Sequence, residues 1–165
     1  MDQINCIEQI QRRFTQKIDG LRDKNYWERL KILNIFSLQR RRERKTILHT
    51  WKIKNSLVRN DIKLNFNDNP ERRTASRAIL PPMPKTSGKV LSAFEHSFGV
   101  RSAKLWNKMS SNLTILTNYT TFVNKLDKWL KLLPDEPPIK GYYHKNRNSI
   151  LDIPVFLLLH YERQI

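Results

Sequence analysis

The chain has 165 residues, 39% of them apolar, with four tryptophans and a net charge of +16 from 31 Lys and Arg against 15 Asp and Glu. That length holds one domain, or a small domain with a tail, and that apolar content excludes a disordered chain, which carries fewer bulky residues. Cys6, the only cysteine, excludes an internal disulfide framework and a Cys-based zinc site.

In chain order, Ile4, Ile7, Ile10, Phe14, Ile18 and Leu21 recur at three- and four-residue spacing. They predict a first helix with these side chains on one inward arc, Arg12, Arg13 and Lys17 on other sides, and Gly20 as its stop. A short second helix follows, with Asn25 as cap, Glu28 completing a capping box, Trp27, Leu30 and Leu33 inward, and Asn34 at its end. Ser37 caps a third helix that runs to about Asn55, with Ile47, Leu48, Trp51 and Val58 on its apolar face. One turn back from Leu48 that face meets Arg44, and Arg40 lies close to the same stripe. At least one arginine therefore points where a core should be, and it must find a carboxylate, or the helix must leave the body there, because an unpaired buried charge is prohibitively costly.

Residues 59–97 carry little pattern. Asn, Asp and Pro punctuate Asn65 to Pro70, and Pro81, Pro82 and Pro84 exclude helix around them. Lys63–Phe66 and Arg77–Leu80 could pair as short strands, or the segment could be a partly ordered loop. Leu105, Trp106 and Met109 indicate a short helix beginning at Val100. Phe122, Leu126, Trp129, Leu130 and Leu133 indicate a longer one from Tyr119 to Leu132, stopped by Pro134. The expected fold is mainly α: four to five short helices, an irregular or small β-hairpin middle segment, and an extended C-terminal tail. The segments are a basic three-helix module at 1–58, the connection at 59–97, a helical part at 98–133 and the tail at 134–165.

Met1 leads into Asp2 and an amphipathic pattern, not a signal peptide, and the run from Val155 to Leu159 is far short of the ~20 apolar residues of a membrane span. The expectation is an intracellular chain, nuclear or cytoplasmic, with no membrane partner. Four scattered glycines make no phosphate-binding loop. His49, His96, His144 and His160 lack metal-ligand spacing, so no metal or cofactor is expected. Glu95-His96 reads as an exposed loop pair and Asp135-Glu136 as a solvated turn. No Asp-Asp pair is present to hold two metal ions. Nothing nominates catalytic residues or a small-molecule substrate.

Cations interleaved with aromatics do accumulate. From Gln11 to Arg59 there are fifteen basic and four acidic residues, +11 of the +16. Such a field suits a polyanion, and nucleic acid first. Arg12, Arg13, Lys17, Arg40, Arg41, Arg42, Arg44 and Lys45 are the candidate phosphate contacts, while Phe14, Trp27 and Trp51 are assigned to packing. That pattern implies backbone binding with little sequence readout.

Several segments carry a resemblance: Gln11-Arg12-Arg13-Phe14-Thr15, Gly20-Leu21, Tyr26-Trp27-x-Arg29-Leu30, Ser37 to Arg44, and Trp51-Lys52-Ile53. In order after them come Phe98-x-Val-Arg101, Leu105-Trp106-Asn107, Phe122-x-x-x-Leu126-Asp127, Pro134-Asp135-Glu136-Pro137, Gly141-Tyr142 and Asn148-Ser149-x-Leu151-Asp152. Together they resemble the region after the polymerase core of non-LTR (LINE-type) retrotransposon reverse transcriptases, over roughly Ile4 to Asp152. The resemblance implies a parent with endonuclease and RNA-directed DNA polymerase activities, whose catalytic aspartates lie upstream of the matched region. It implies a non-catalytic piece that grips RNA or RNA–DNA duplex, beside an upstream polymerase domain. Lys45, Lys108-Met109 and Ile153 depart from the family pattern, and the expectation for residues 153–165 is an unrelated end on a degenerate or truncated copy. The alternatives are a structural segment that docks on the polymerase core or another protein, and a relic reading frame without function.

Overall fold

A computed structural model of the chain describes residues 3–67, 76–83, 85, 88–137 and 148–162. Pro70, Pro84, Pro138, Gly141-Tyr142, His144 and Ile165 lie outside the described residues, and for Ile4 and Cys6 only the backbone is described. The chain is mainly helical with one small antiparallel hairpin, as its sequence indicates. It divides into two compact units, residues 1–44 with 134–153, and residues 45–133 with 154–165. This grouping cuts across the four consecutive segments.

Unit 1 contains α1 (Gln3–Gln16), α2 (Tyr26–Ile32), the start of α3 (Leu38–Lys54) and a 3-10 turn at Ile150–Asp152. The α2 capping box forms: Asn25 Oδ1 accepts from Glu28 N at 3.0 Å, and Asn25 N donates to Glu28 Oε2 at 3.0 Å. At its other end Asn34 takes φ +52° and Ile35 N reaches back to Leu30 O at 3.0 Å, closing the helix in a Schellman turn. Ser37 caps α3, its Oγ accepting from Arg40 N at 3.1 Å. By contrast α1 ends at Gln16, four residues before Gly20, which adopts φ +75° in the following turn.

Unit 2 contains the rest of α3, the hairpin of β1 (Asn65–Phe66) and β2 (Ala78–Ile79), and α4 (Lys89–Glu95), α5 (Phe98–Lys108), α6 (Ser111–Thr114), α7 (Tyr119–Leu132) and α8 (Val155–Glu162). The strands pair with Asn65 opposite Ile79 and Phe66 opposite Ala78. Asn107 holds β2 like a third strand, its Oδ1 accepting from Ala78 N and its Nδ2 donating to Ala78 O, both at 2.8 Å. The core is aromatic: Trp51 stacks on Phe122 at 5.5 Å, and Trp106 lies 6.1 Å from Phe122 and 5.7 Å edge-on from Phe66. Both indoles are buried, and both donate to backbone, Trp51 to Leu116 O at 2.8 Å and Trp106 to Ser76 O at 2.7 Å.

Eight α-helices occur among the described residues, against four or five expected. The additions are short. Helix α4 buries none of its residues and has Gly88 at its cap without a side-chain hydrogen bond, so neither periodicity nor cap announces it. Helix α6 is a single turn. The extended tail is corrected to a 3-10 turn and α8, with Ile150, Ile153 and Leu158 buried. Its apolar run has no polar face to set a period, so the pattern does not separate helix from strand there. No helix among the described residues is long and apolar enough to cross a membrane.

Candidate nucleic-acid interface

The N-terminus of α3 is built on buried polar groups. Ser37 N and Oγ donate to Asp135 at 2.8 and 2.7 Å, and Asn148 Nδ2 donates to Ser37 Oγ at 2.9 Å and to Asp135 Oδ1 at 3.0 Å. Glu8 accepts from Leu38 N at 3.1 Å. Two carboxylates thus meet the positive end of the helix, where backbone N–H groups lack partners within the helix itself.

Arg40 lies within this arrangement and is fully buried. Its Nη2 donates to Pro134 O at 2.6 Å and to Asn148 O at 3.3 Å, and its Nε lies 3.6 Å from Asp135. Its assignment as a phosphate contact is corrected: no face of the guanidinium is open to a ligand, and its counter-charge is internal. The buried positions of α3 include Arg40, Glu43, Ile47, Thr50 and Trp51, so the stripe is phased on Ile47 and Trp51. Leu48 is half-buried, as is Arg44 one turn before it. Asp135 is likewise no solvated turn; it is the carboxylate that the buried arginine requires.

Glu43, also buried, accepts from Ile150 N at 3.1 Å, from Gln39 Nε2 at 2.8 Å and from Ser149 Oγ. Burial pushes its carboxyl above the usual carboxylate range, against the pull of Arg40 and these donors. A carboxyl raised in the folded state holds its proton longer than in the unfolded chain. Its contribution therefore weakens as pH rises from about 4.3, the unfolded value, through the raised one. Glu43→Gln removes this titration. The stability advantage of the natural chain over the variant should be largest in acid and shrink toward neutral pH in urea melts; an advantage that grows with pH contradicts the assignment.

Helix α1 turns its polar side inward. Glu8 and Thr15 are buried and Gln11 half-buried, while Ile7, Ile10 and Phe14 are exposed. The cause is α2, which presents Tyr26 and Arg29 to this interface. Arg29 Nε donates to Thr15 Oγ1 at 3.1 Å and its Nη2 to Arg12 O at 3.3 Å. The Tyr26 hydroxyl donates to Glu8 and accepts from Gln11 Nε2 at 3.0 Å. Burial, with the Glu8 carboxylate next, raises the Tyr26 phenol far above its ordinary range. Buried polar groups need polar partners, which an isoleucine face cannot supply. Phe14 is thus corrected from packing to surface, while Trp51 packs as assigned and Trp27 is half-buried.

The other candidate cations divide. Arg12, Arg13, Lys17 and Arg41 belong to unit 1; Arg13, Lys17 and Arg41 are exposed, as is Arg12. Arg12 is held with its guanidinium 4.6 Å from the Tyr26 ring centroid and 5.5 Å from Trp27. Arg41 donates to Phe36 O at 3.2 Å and to the Gln11 side chain. Arg13 and Lys17, one turn apart, pair with no carboxylate among the described residues. Arg42 and Arg44 are each already engaged in an interaction, and Arg44 is half-buried. Lys45, in unit 2, is exposed on the rim of an open cleft of about 590 Å³ lined also by Thr46, His49, Ile53, Arg59 and Phe98. Among the described residues no group of three or more His, Cys, Asp or Glu is placed to hold a metal ion.

No family model, curated protein or solved structure matches the chain. The helical pattern of α3 requires a partner for a buried arginine but does not name it, because Asp135 and Asn148 lie about a hundred residues downstream. Nothing in the helical period of α1 could have signalled that its polar face is the buried one; that follows from Arg29 on the next helix.

Proposed function

We propose that the chain is a non-catalytic nucleic-acid-binding segment, similar to the region after the polymerase core of non-LTR retrotransposon reverse transcriptases, and that it holds RNA or RNA–DNA duplex by its phosphates. The observation that carries this reading is the sorting of charge in unit 1. Glu8 and Glu43 are buried and Asp135 is tied to Ser37 and Arg40, while Arg12, Arg13, Lys17 and Arg41 remain at the surface. Asp19, Asp23, Glu28 and Glu136 stay exposed in the same unit, but against Arg12, Arg13, Lys17, Arg22, Lys24, Lys31 and Arg41 they leave seven exposed cations to four exposed carboxylates among the described residues. Guanidinium forks and ammonium groups in that setting bind phosphate oxygens and release condensed counterions.

The resemblance draws support from where its pieces fall. Ser37 to Arg44, Pro134-Asp135 and Asn148-Ser149, far apart in the chain, are joined by hydrogen bonds within one unit. Trp106 and Asn107 from another piece hold the hairpin. These residues serve the fold, which leaves the exposed cations for the ligand. The test is charge reversal at Arg13 and Lys17, which pair with no carboxylate among the described residues, as Arg13→Glu with Lys17→Glu. Binding should weaken alike for every RNA sequence, and the salt slope should become shallower by about 0.7 for each phosphate of a single strand no longer held; unchanged affinity refutes the assignment.

A further inference from the structure

Helix α1 exposes Ile7, Ile10 and Phe14 at 46%, 67% and 69%. They stand at i, i+3 and i+7 and span an arc of about 60° at 100° per residue. Hydrogen bonds to α2 and the α3 N-terminus occupy the adjoining flank, through Gln11, Thr15 and Glu8, about 40° to 100° round the helix from Ile7. No described residue of unit 1 covers the stripe, and its spacing is the one by which a helix anchors on an apolar partner surface. By the same helical geometry, Arg13 and Lys17 follow one edge of it, both exposed and without a carboxylate partner among the described residues.

We infer that the outer face of α1 docks an acidic amphipathic helix of a partner protein. The partner's apolar side chains cover Ile7, Ile10 and Phe14, and its carboxylates pair with Arg13 and Lys17. A second copy of this chain would bring the same cations against each other in a molecule already at +16. An RNA backbone has no apolar strip to offer. A lipid surface takes a broad apolar face, whereas this one is only three side chains, bounded on one flank by the residues committed to α2. Arg13 and Lys17 also belong to the proposed phosphate set, so an acidic helix and RNA compete for them.

The probe is a synthetic helical peptide with leucine at every a and d position and glutamate at e and g, beside a control with lysine for glutamate. Each is titrated into the full chain without nucleic acid, so failure here leaves the RNA reading untouched. The glutamate peptide should bind and the lysine peptide should not. Ile10→Ser with Phe14→Ser should weaken the glutamate peptide at least tenfold, leaving circular dichroism and RNA affinity unchanged. The charge-swapped peptides decide the matter even without a variant. Equal binding of the two peptides, or of neither, overturns the proposal. So does unaltered affinity in the serine variant, a dimer of the natural chain that this variant dissociates, or capture by phosphatidylserine vesicles that the glutamate peptide does not displace.

Discussion

Replacing Arg40 by alanine should destabilise unit 1 by about 3 kcal/mol. Removing one partner of a buried ion pair costs roughly 3–5 kcal/mol, because the other charge is left without compensation. The lower end applies because Asp135 keeps donors from Ser37 and Asn148. Two backbone carbonyls, of Pro134 and Asn148, also lose their donor. Hydrogen exchange of the full chain, resolved by peptide, should show weaker protection in α1, α2 and residues 38–44. A variant with unaltered protection and weakened RNA binding would return Arg40 to the phosphate-contact role from which its burial removes it.

Trp106→Ala should destabilise unit 2 by about 3–5 kcal/mol, the usual range for deleting a fully buried tryptophan. The indole is wholly buried among Phe66, Phe122 and the hairpin, so the site has few neighbours able to collapse into the void. Its Nε1–H also serves Ser76 O, at the base of β2. Urea denaturation should show the loss, with Ala78 amide exchange accelerating in step. A cost below about 1 kcal/mol would mean that Trp106 is not a central element of that core.

Capping and span signals that one helix suffices to read hold at several places, though Gly20 does not stop α1 and Leu48 does not phase α3. The Asn25/Glu28 box, Ser37 as cap and the span Tyr119–Leu132 all appear as the residues indicate. The hairpin pairing is legible as one option, and the structure takes it with shorter strands. What escapes depends on distant chain segments. The inward face of α1 is set by Arg29 and Tyr26, and the fate of Arg40 by Asp135 and Asn148. An arginine run looks uniform in one dimension, yet a helix turns its members to different sides. Arg40 therefore enters the core while Arg41, one residue on, stays in solvent.

That division of labour is also what makes the nucleic-acid reading quantitative. The four exposed candidate cations of unit 1 (Arg12, Arg13, Lys17 and Arg41) would make about four phosphate contacts, and for single-stranded RNA each would contribute about −0.7 to the salt slope. The most direct measurement is the affinity of the full chain for an RNA oligonucleotide across a series of salt concentrations, beside the Arg13→Glu, Lys17→Glu variant. Log K against log salt should fall with a slope of about −3 for the natural chain and about −1.5 for the variant. A slope near zero, or one that the two charge reversals leave unchanged, would contradict phosphate binding by this surface.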